Sequence, residues 1–340
     1  MSDEFETIVR LAQQCLEATP VIILGSGASV AYGVSGMGAL QDHLVKEISP
    51  ESKDEDIWNQ FKSDLTKTRD LEVSLQNVNL PAGLILTVVR ETRNLIVRDD
   101  LSVFQKVISK EIDLEISRLF RHLFRSTNRT VSVITTNYDR LAEYGADGVG
   151  YAHFTGFNHG YYRQFDSVAT TPQIATRKRC VNVWKVHGSV DWFHDASNIP
   201  IALPYQHDVP DSIEPLLVTP GTSKYELTHG EPFRSIMTKA DEAMSAARAF
   251  LCIGYGFNDS HIEPKLVAKV RDRGVPIVIL ARTLRDSAKK FLENCSQNNF
   301  VALEREGNNT KAYHPDAKCG VSIPDKSLWD LPDFLNATID

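Results

Sequence analysis

The chain has 340 residues, 42% of them hydrophobic and 24% charged, and a formal net charge of −7 from 37 Lys and Arg against 44 Asp and Glu. That length carries about two domains at ~150 residues each, or one large α/β domain with an insertion, and it buries a core that needs no disulfide or metal staple. The acidic balance argues against a general polyanion binder, so direct nucleic-acid binding is not expected. The five scattered cysteines (Cys15, Cys180, Cys252, Cys295, Cys319) contain no CxxC pair, which excludes a tetracysteine zinc ribbon.

The chain opens MSDEFET, acidic and without an apolar leader core, and its strongest apolar runs are strand-sized, so a cytoplasmic protein without a membrane span is expected. Phe5, Ile8, Val9, Ala12 and Leu16 share one face of a helix predicted over 3–18. Pro20 then opens the apolar run Val21–Leu24, which leads directly into Gly25-Ser26-Gly27-Ala28-Ser29. From about Trp58 to Arg125 the pattern is helical, with apolar stripes at Leu71/Leu75/Val78, Leu84/Ile85/Val88/Val89 and Ile112/Ile116/Leu119/Leu123. This block, about 50–126, lies between two strands and reads as a helical insertion. Arg118, Arg121, Arg125 and Arg129 recur along one stripe of it, as a solvated face or a contact for an acidic partner surface or a polyanion; Arg177-Lys178-Arg179 poses the same choice.

Strands are predicted at Val131–Thr135, Val181–Val186, Leu216–Val218, Phe250–Ile253 and Pro276–Leu280, with helices over 138–144, 262–271 and 285–292. The continuous β-branched runs suit strands buried on both faces, and the alternation predicts an α/β protein with a mostly parallel sheet and helices on both sides. Residues 151–180, rich in aromatics, His and Gly, read as a long functional loop. The α/β domain is expected to span 1–282, with a helical or irregular segment over 283–340 packed on it.

Four turns at strand ends carry polar or glycine residues. Gly25–Ser29 follows a strand and precedes a helix, which suits a phosphate-binding turn or a purely structural one. It lacks the third glycine of the dinucleotide fingerprint, Val30 standing there, and no GK[ST] follows. Thr135-Thr136-Asn137-Tyr138-Asp139 ends a buried strand, where ligands sit in open α/β sheets, or else Asn and Asp cap the next helix. His187-Gly188-Ser189 and Gly254-Tyr255-Gly256-Phe257-Asn258-Asp259 follow two further strands, with Asp259 a candidate helix cap. An imidazole is the side chain in these motifs suited to proton transfer near neutral pH.

GSGAS, TTNYD, HGS and GYGFND, in this order over about residues 20–282, resemble the sirtuin-like family of bacterial NAD-consuming proteins. The resemblance implies a Rossmann-like sheet and a site for NAD. Gly25, Gly27, Ala28 and Ser29 would hold the pyrophosphate, with Thr136 beside them. Asn137 would orient a water or the sugar near the nicotinamide ribose, Asp139 would fix the nicotinamide pocket, and His187 would bond the ribose hydroxyls and act as base. Gly254, Tyr255, Phe257 and Asn258 would cover the adenosine end. The chain departs from the deacetylases of that family in lacking the zinc tetracysteine module, so no zinc is expected. It also reads Gly33-Val34-Ser35-Gly36-Met37 where they carry Gly-Ile-Pro-Asp-Phe-Arg. The resemblance therefore favours NAD hydrolysis to nicotinamide and ADP-ribose, with Asn137, His187 and Asp139 as the catalytic residues and anti-phage NAD depletion as the role. The alternatives are a module that senses NAD or ADP-ribose without turnover, and an NAD-dependent deacylase or ADP-ribosyltransferase. A homo-oligomer and a HerA-type hexameric ATPase partner are implied in the same way.

Overall fold

The computed structural model describes residues 3–166, 178–204, 208–210, 212–219, 230–295 and 300–339. Its strands are β1 (Val21–Leu24), β2 (Thr130–Thr135), β3 (Ala152–Phe154), β4 (Arg163–Gln164), β5 (Cys180–Lys185), β6 (Gly188–His194), β7 (Pro200–Ala202), β8 (Glu214–Leu217), β9 (Phe250–Ile253), β10 (Ile277–Ala281), β11 (Phe300–Glu306), β12 (Asn309–His314) and β13 (Ala317–Ile323). Its helices are α1 (Asp3–Glu17), α2 (Ser26–Val30), α3 (Met37–Glu47), α4 (Glu55–Thr68), α5 (Leu71–Asn77), α6 (Ala82–Ile108), α7 (Glu115–Leu123), α8 (Leu141–Asp147), α9 (Phe233–Ala246), α10 (Glu263–Arg273), α11 (Asp286–Asn294) and α12 (Leu331–Thr338).

Nine strands form one sheet in the order β13-β12-β11-β10-β9-β1-β2-β5-β3. All are parallel from β11 to β3; at one edge β12 pairs antiparallel with β11, and β13 pairs antiparallel with β12. Successive side chains of a strand point to opposite faces, and the core divides accordingly. Ile22, Val133 and Leu251 lie on one face against α1 and the helices of the insertion. Val21, Ile23, Ile134, Phe250 and Cys252 lie on the other against α9, α10 and α11. The chain is thus an α/β protein whose mostly parallel sheet is covered by helices on both faces. Burying each Ile or Leu of these central strands stabilises the fold by roughly 1.5–3 kcal/mol, which is why apolar and β-branched residues dominate them.

The structure corrects four of the expectations. The C-terminal segment is not only helical and irregular: β11 adds to the main sheet parallel to β10, and β12–β13 close its edge as a hairpin. Only Phe300–Leu303 in that stretch is apolar, and the outer strands alternate half-buried polar residues as an edge does. A second sheet, antiparallel in the order β4-β7-β6-β8, is unexpected: only β4 falls within 151–180, β6 and β7 coincide with no predicted strand, and β8 overlaps the strand predicted at Leu216–Val218. The helix expected over 138–144 begins at Leu141, leaving Thr136–Arg140 as an open turn. The arginine stripe is not one helix face either. Helix α7 stops at Leu123, Arg118 bonds Glu115 at 3.4 Å, and Arg125 and Arg129 lie beyond the helix end. Arg177 lies outside the described residues, while Arg179 stands 5.8 Å over the Phe124 ring.

The helical block 50–126 is built into the core rather than appended to it. Asp100 of α6 is fully buried and accepts bonds from the Arg140 backbone N (2.7 Å), Arg140 Nη2 (2.5 Å) and Tyr144 Oη (2.6 Å). Arg93, two turns earlier on the same face of α6, donates from Nε to the Val190 carbonyl at 2.8 Å. These charge-assisted bonds tie the block to the turn after β2 and to β6, and removing one partner of such a pair costs about 3–5 kcal/mol. No helix among the described residues is long and apolar enough to cross a membrane.

Candidate active site

The order of strands reverses at β1. From there the chain moves to β2 and β5 on one side and later returns to β9 and β10 on the other. Ligands of open α/β sheets bind outside the carboxyl ends of the strands at such a point. There the turn after β1 packs on the turn after β9, backbone to backbone. Gly25 N donates to the Ile253 carbonyl at 3.0 Å and Gly27 N to the Gly254 carbonyl at 3.1 Å. A Cβ on Gly254, whose φ is +60°, would stand 2.3 Å from Ala28 N, and one on Gly27 would stand 2.7 Å from Gly254 Cα. These glycines are therefore needed for the close approach of two turns. The amides of Gly25 and Gly27 belong to that contact, so the structural reading of the turn holds for them.

On the β2 side, Thr135 Oγ1 donates to the Leu24 carbonyl (3.1 Å) and accepts from Asn137 N (3.0 Å). Asn137 Nδ2 reaches back across the cleft floor to the Gly25 carbonyl (2.9 Å) and to Ser29 Oγ (3.0 Å). Asp139, one residue before the N-cap Arg140, accepts from the N of Leu141, the first residue of α8, at 3.2 Å. Burial pushes the Asp139 carboxyl above its ordinary range, while nearby Lys185 and a bond from the Ser29 side chain pull it down. Lys185 is itself fully buried; its Nζ donates to the Asp139 carbonyl and lies 3.3 Å from Glu143 Oε1. Tyr138 turns away from this cluster, donating from Oη to the Val218 carbonyl at 2.8 Å. Burial raises its phenol well above the usual value, and the charge of Glu72 adds to the effect.

His187 stands between β5 and β6, with Nε2 2.8 Å from Oδ2 of Asp259. The other oxygen of that carboxylate, Oδ1, accepts from His261 N (2.9 Å) and Ile262 N (3.1 Å), capping the chain as it turns into α10. One buried carboxylate thus fixes both a helix start and the histidine, 72 positions apart in sequence. Asp259 as a cap is legible in the sequence; its pairing with His187 has no local signal.

These groups line one cleft of about 470 Å³. Of the residues singled out in the sequence, Gly25, Gly27, Ser29, Thr136, Asn137, Asp139, His187, Gly254, Tyr255 and Asn258 lie on its wall. Two do not. Ala28 lines an adjoining cavity of about 730 Å³ behind α2, which shares Gly27, Ser29, Asp139 and Arg282 with the cleft. Phe257 is wholly buried, its ring 4.7 Å from that of Phe291 in the apolar core. The sequence reading missed Arg69, Asp70 and Glu72 at the α4–α5 junction, and Arg282 and Arg285 after β10, all of which line the cleft. Among the described residues no group of three or more His, Cys, Asp or Glu is placed to hold a metal ion.

A family model described as a SIR2-like domain matches residues 131–300, half of the chain. No curated protein matches. Among solved structures, the chain is similar to a Sir2 enzyme examined for mechanism and regulation, at 14% identity and a TM-score of 0.38, covering 87% of this chain and 98% of that one. It is similar to a sirtuin examined for substrate affinity, at 11% identity and a TM-score of 0.42, covering 87% and 99%. A Sir2 homologue in complex with NAD shares 13% identity at a TM-score of 0.41, covering 86% of each chain.

Proposed function

The chain belongs to the SIR2-like domain family, and from that premise we propose that it binds NAD in the cleft and hydrolyses it to nicotinamide and ADP-ribose. The observation that carries this reading is the convergence of Asn137, Asp139 and the His187–Asp259 pair on one wall of the cleft where the strand order reverses. In the reaction the bond between ribose C1′ and the nicotinamide nitrogen breaks, its electron pair leaving with the cationic ring as neutral nicotinamide. A water oxygen then bonds to C1′. Because the leaving group is already cationic, no general acid is required, unlike ordinary glycoside hydrolysis. The protein has to hold ribose and water in line and stabilise the oxocarbenium-like transition state.

Each polar group has a part in that task. Both amide hydrogens of Asn137 are taken by Gly25 and Ser29, which leaves its Oδ1 to accept a hydrogen bond from the attacking water. His187 Nε2 faces Asp259, which leaves Nδ1 to take the proton that water loses, directly or through a ribose hydroxyl. Asp139, held by Ser29, Leu141 and Lys185, borders the nicotinamide carboxamide. The turns after β1 and β9 border the pyrophosphate and adenosine.

The same reading makes the chain an NAD-depleting effector of anti-phage defence. It acts as a homo-oligomer and is gated by a HerA-type hexameric ATPase, as the resemblance implies. The experiment is to incubate the pure chain with NAD and resolve products by chromatography. Equimolar nicotinamide and ADP-ribose support hydrolysis. Nicotinamide without free ADP-ribose means that C1′ has bonded to an acceptor other than water, on a protein or within the ADP-ribose itself, and binding without nicotinamide release makes it a sensor; either overturns the reading.

A further inference from the structure

The charges of the cleft are unevenly placed. Its carboxylates cluster toward the β2–β5 end: Asp139 and Asp259 are buried beside Asn137 and His187, and Glu72 is close enough to Tyr138 to raise its phenol. The opposite end, after β10, carries Arg282 and Arg285. Both are exposed, and among the described residues neither guanidinium has a hydrogen bond or ion pair. Arg285 stands over the turn after β9, its Cδ 3.9 Å from where a Gly256 Cβ would be. From β10 to β2 and β5 there are three and four strand spacings of ~4.8 Å each, or ~14–19 Å, the reach of an extended dinucleotide.

Dinucleotide folds that take NAD place a carboxylate against the ribose 2′-hydroxyl, and an arginine near that position accommodates a 2′-phosphate instead. Here the β10 end presents Ala281-Arg282-Thr283 and then Arg285, with no carboxylate among these lining residues. Building on the reading that a dinucleotide lies with its nicotinamide at Asn137, we infer that Arg282 and Arg285 receive the 2′-phosphate of its adenosine ribose, and that the phosphorylated dinucleotide NADP is the preferred substrate. Two guanidiniums on a dianionic phosphate form charge-assisted bonds that the hydroxyl of NAD cannot match.

The test measures binding and turnover separately. Calorimetry compares ADP-ribose with its 2′-phosphate, and chromatography compares kcat/KM for NAD and NADP. The wild-type chain is expected to favour the 2′-phosphorylated member at least tenfold in both, and the double variant Arg282→Glu/Arg285→Glu to lose at least tenfold of that ratio. Equal affinity of the wild-type chain for both probes overturns the inference and leaves the NAD reading standing. A double variant that weakens both probes alike also overturns it, since the arginines would then serve the shared pyrophosphate. If neither probe binds, both readings fall together.

Discussion

The two ends of the cleft are built on opposite physical terms. At the β2–β5 end the polar groups are withdrawn from water and held by neighbours: Asn137 by Gly25 and Ser29, Asp139 by Leu141, and the half-buried His187 by the Asp259 carboxylate 2.8 Å away. At the β10 end Arg282 and Arg285 are exposed side chains. A cluster held in this way is preorganised and suited to stabilising a transition state, where a small displacement is costly. Solvated charges on long stems suit recognition of an anion and tolerate change. The contrast assigns rate to one end and affinity to the other, and substitutions can separate the two.

The largest effect is expected from Asn137→Ala and His187→Ala, each of which should lower NAD cleavage by about a thousandfold or more, in line with loss of a preorganised polar group. Thermal unfolding should show both variants folded; either one retaining near wild-type kcat at saturating nucleotide would undo the assignment of rate to this end. Next is Asp259→Asn, which keeps an oxygen to cap α10 but not the charge facing His187. It should cut kcat by about ten- to a hundredfold, shift the pH–rate profile and leave KM little changed. Asp259→Ala should in addition lose about 1 kcal/mol of stability with the cap.

A third substitution strikes the contact that joins the two ends. Gly254→Ala places a Cβ against the backbone of Ala28 at a positive φ. It should destabilise the chain by about 1–3 kcal/mol and raise KM more than it lowers kcat, read by melting and kinetics. The smallest effect concerns pH. Burial pushes the Asp191 carboxyl up, but Arg163 at 2.6 Å, Arg140, Ser189 and Lys185 outweigh it and hold the group at about 2. A carboxyl depressed on folding contributes stability above its unfolded pKa, here 3.8, and loses it as pH falls toward the folded value. Roughly 2 kcal/mol should therefore disappear between about pH 4 and pH 2. Asp191→Asn should flatten that part of the acid unfolding curve.

Much of this was legible in the chain. The runs at Val21–Leu24 and Phe250–Ile253, and Val131–Thr135 with Ser132 as its one internal polar residue, declare central strands because a strand covered on both faces favours apolar and β-branched side chains. Four polar or glycine turns placed directly after strands mark the site, since the carboxyl ends of a parallel sheet share one edge. Less was legible where the signal is weak. The β12–β13 hairpin is polar and half-buried, and the segment Gly188–His194 hides a strand because its buried Asp191 interrupts the apolar pattern while finding its partner on Arg163.

The sequence by itself determined the parallel core, the order of the turns and the residue types offered at each, because burial and strand-end geometry act locally along the chain. Tertiary structure alone decided which of them meet. It set Asp259 against His187, Asn137 against Gly25 and Asp100 against Arg140, put Phe257 in the core, and stood Arg282 and Arg285 at the far end of the same cleft. Those three pairings join residues 40 to 112 positions apart through strand order and helix packing, and no periodicity or spacing in the chain encodes such distances. The chemistry of the site is therefore a property of the strand order at β1, which brings two glycine turns close enough to touch.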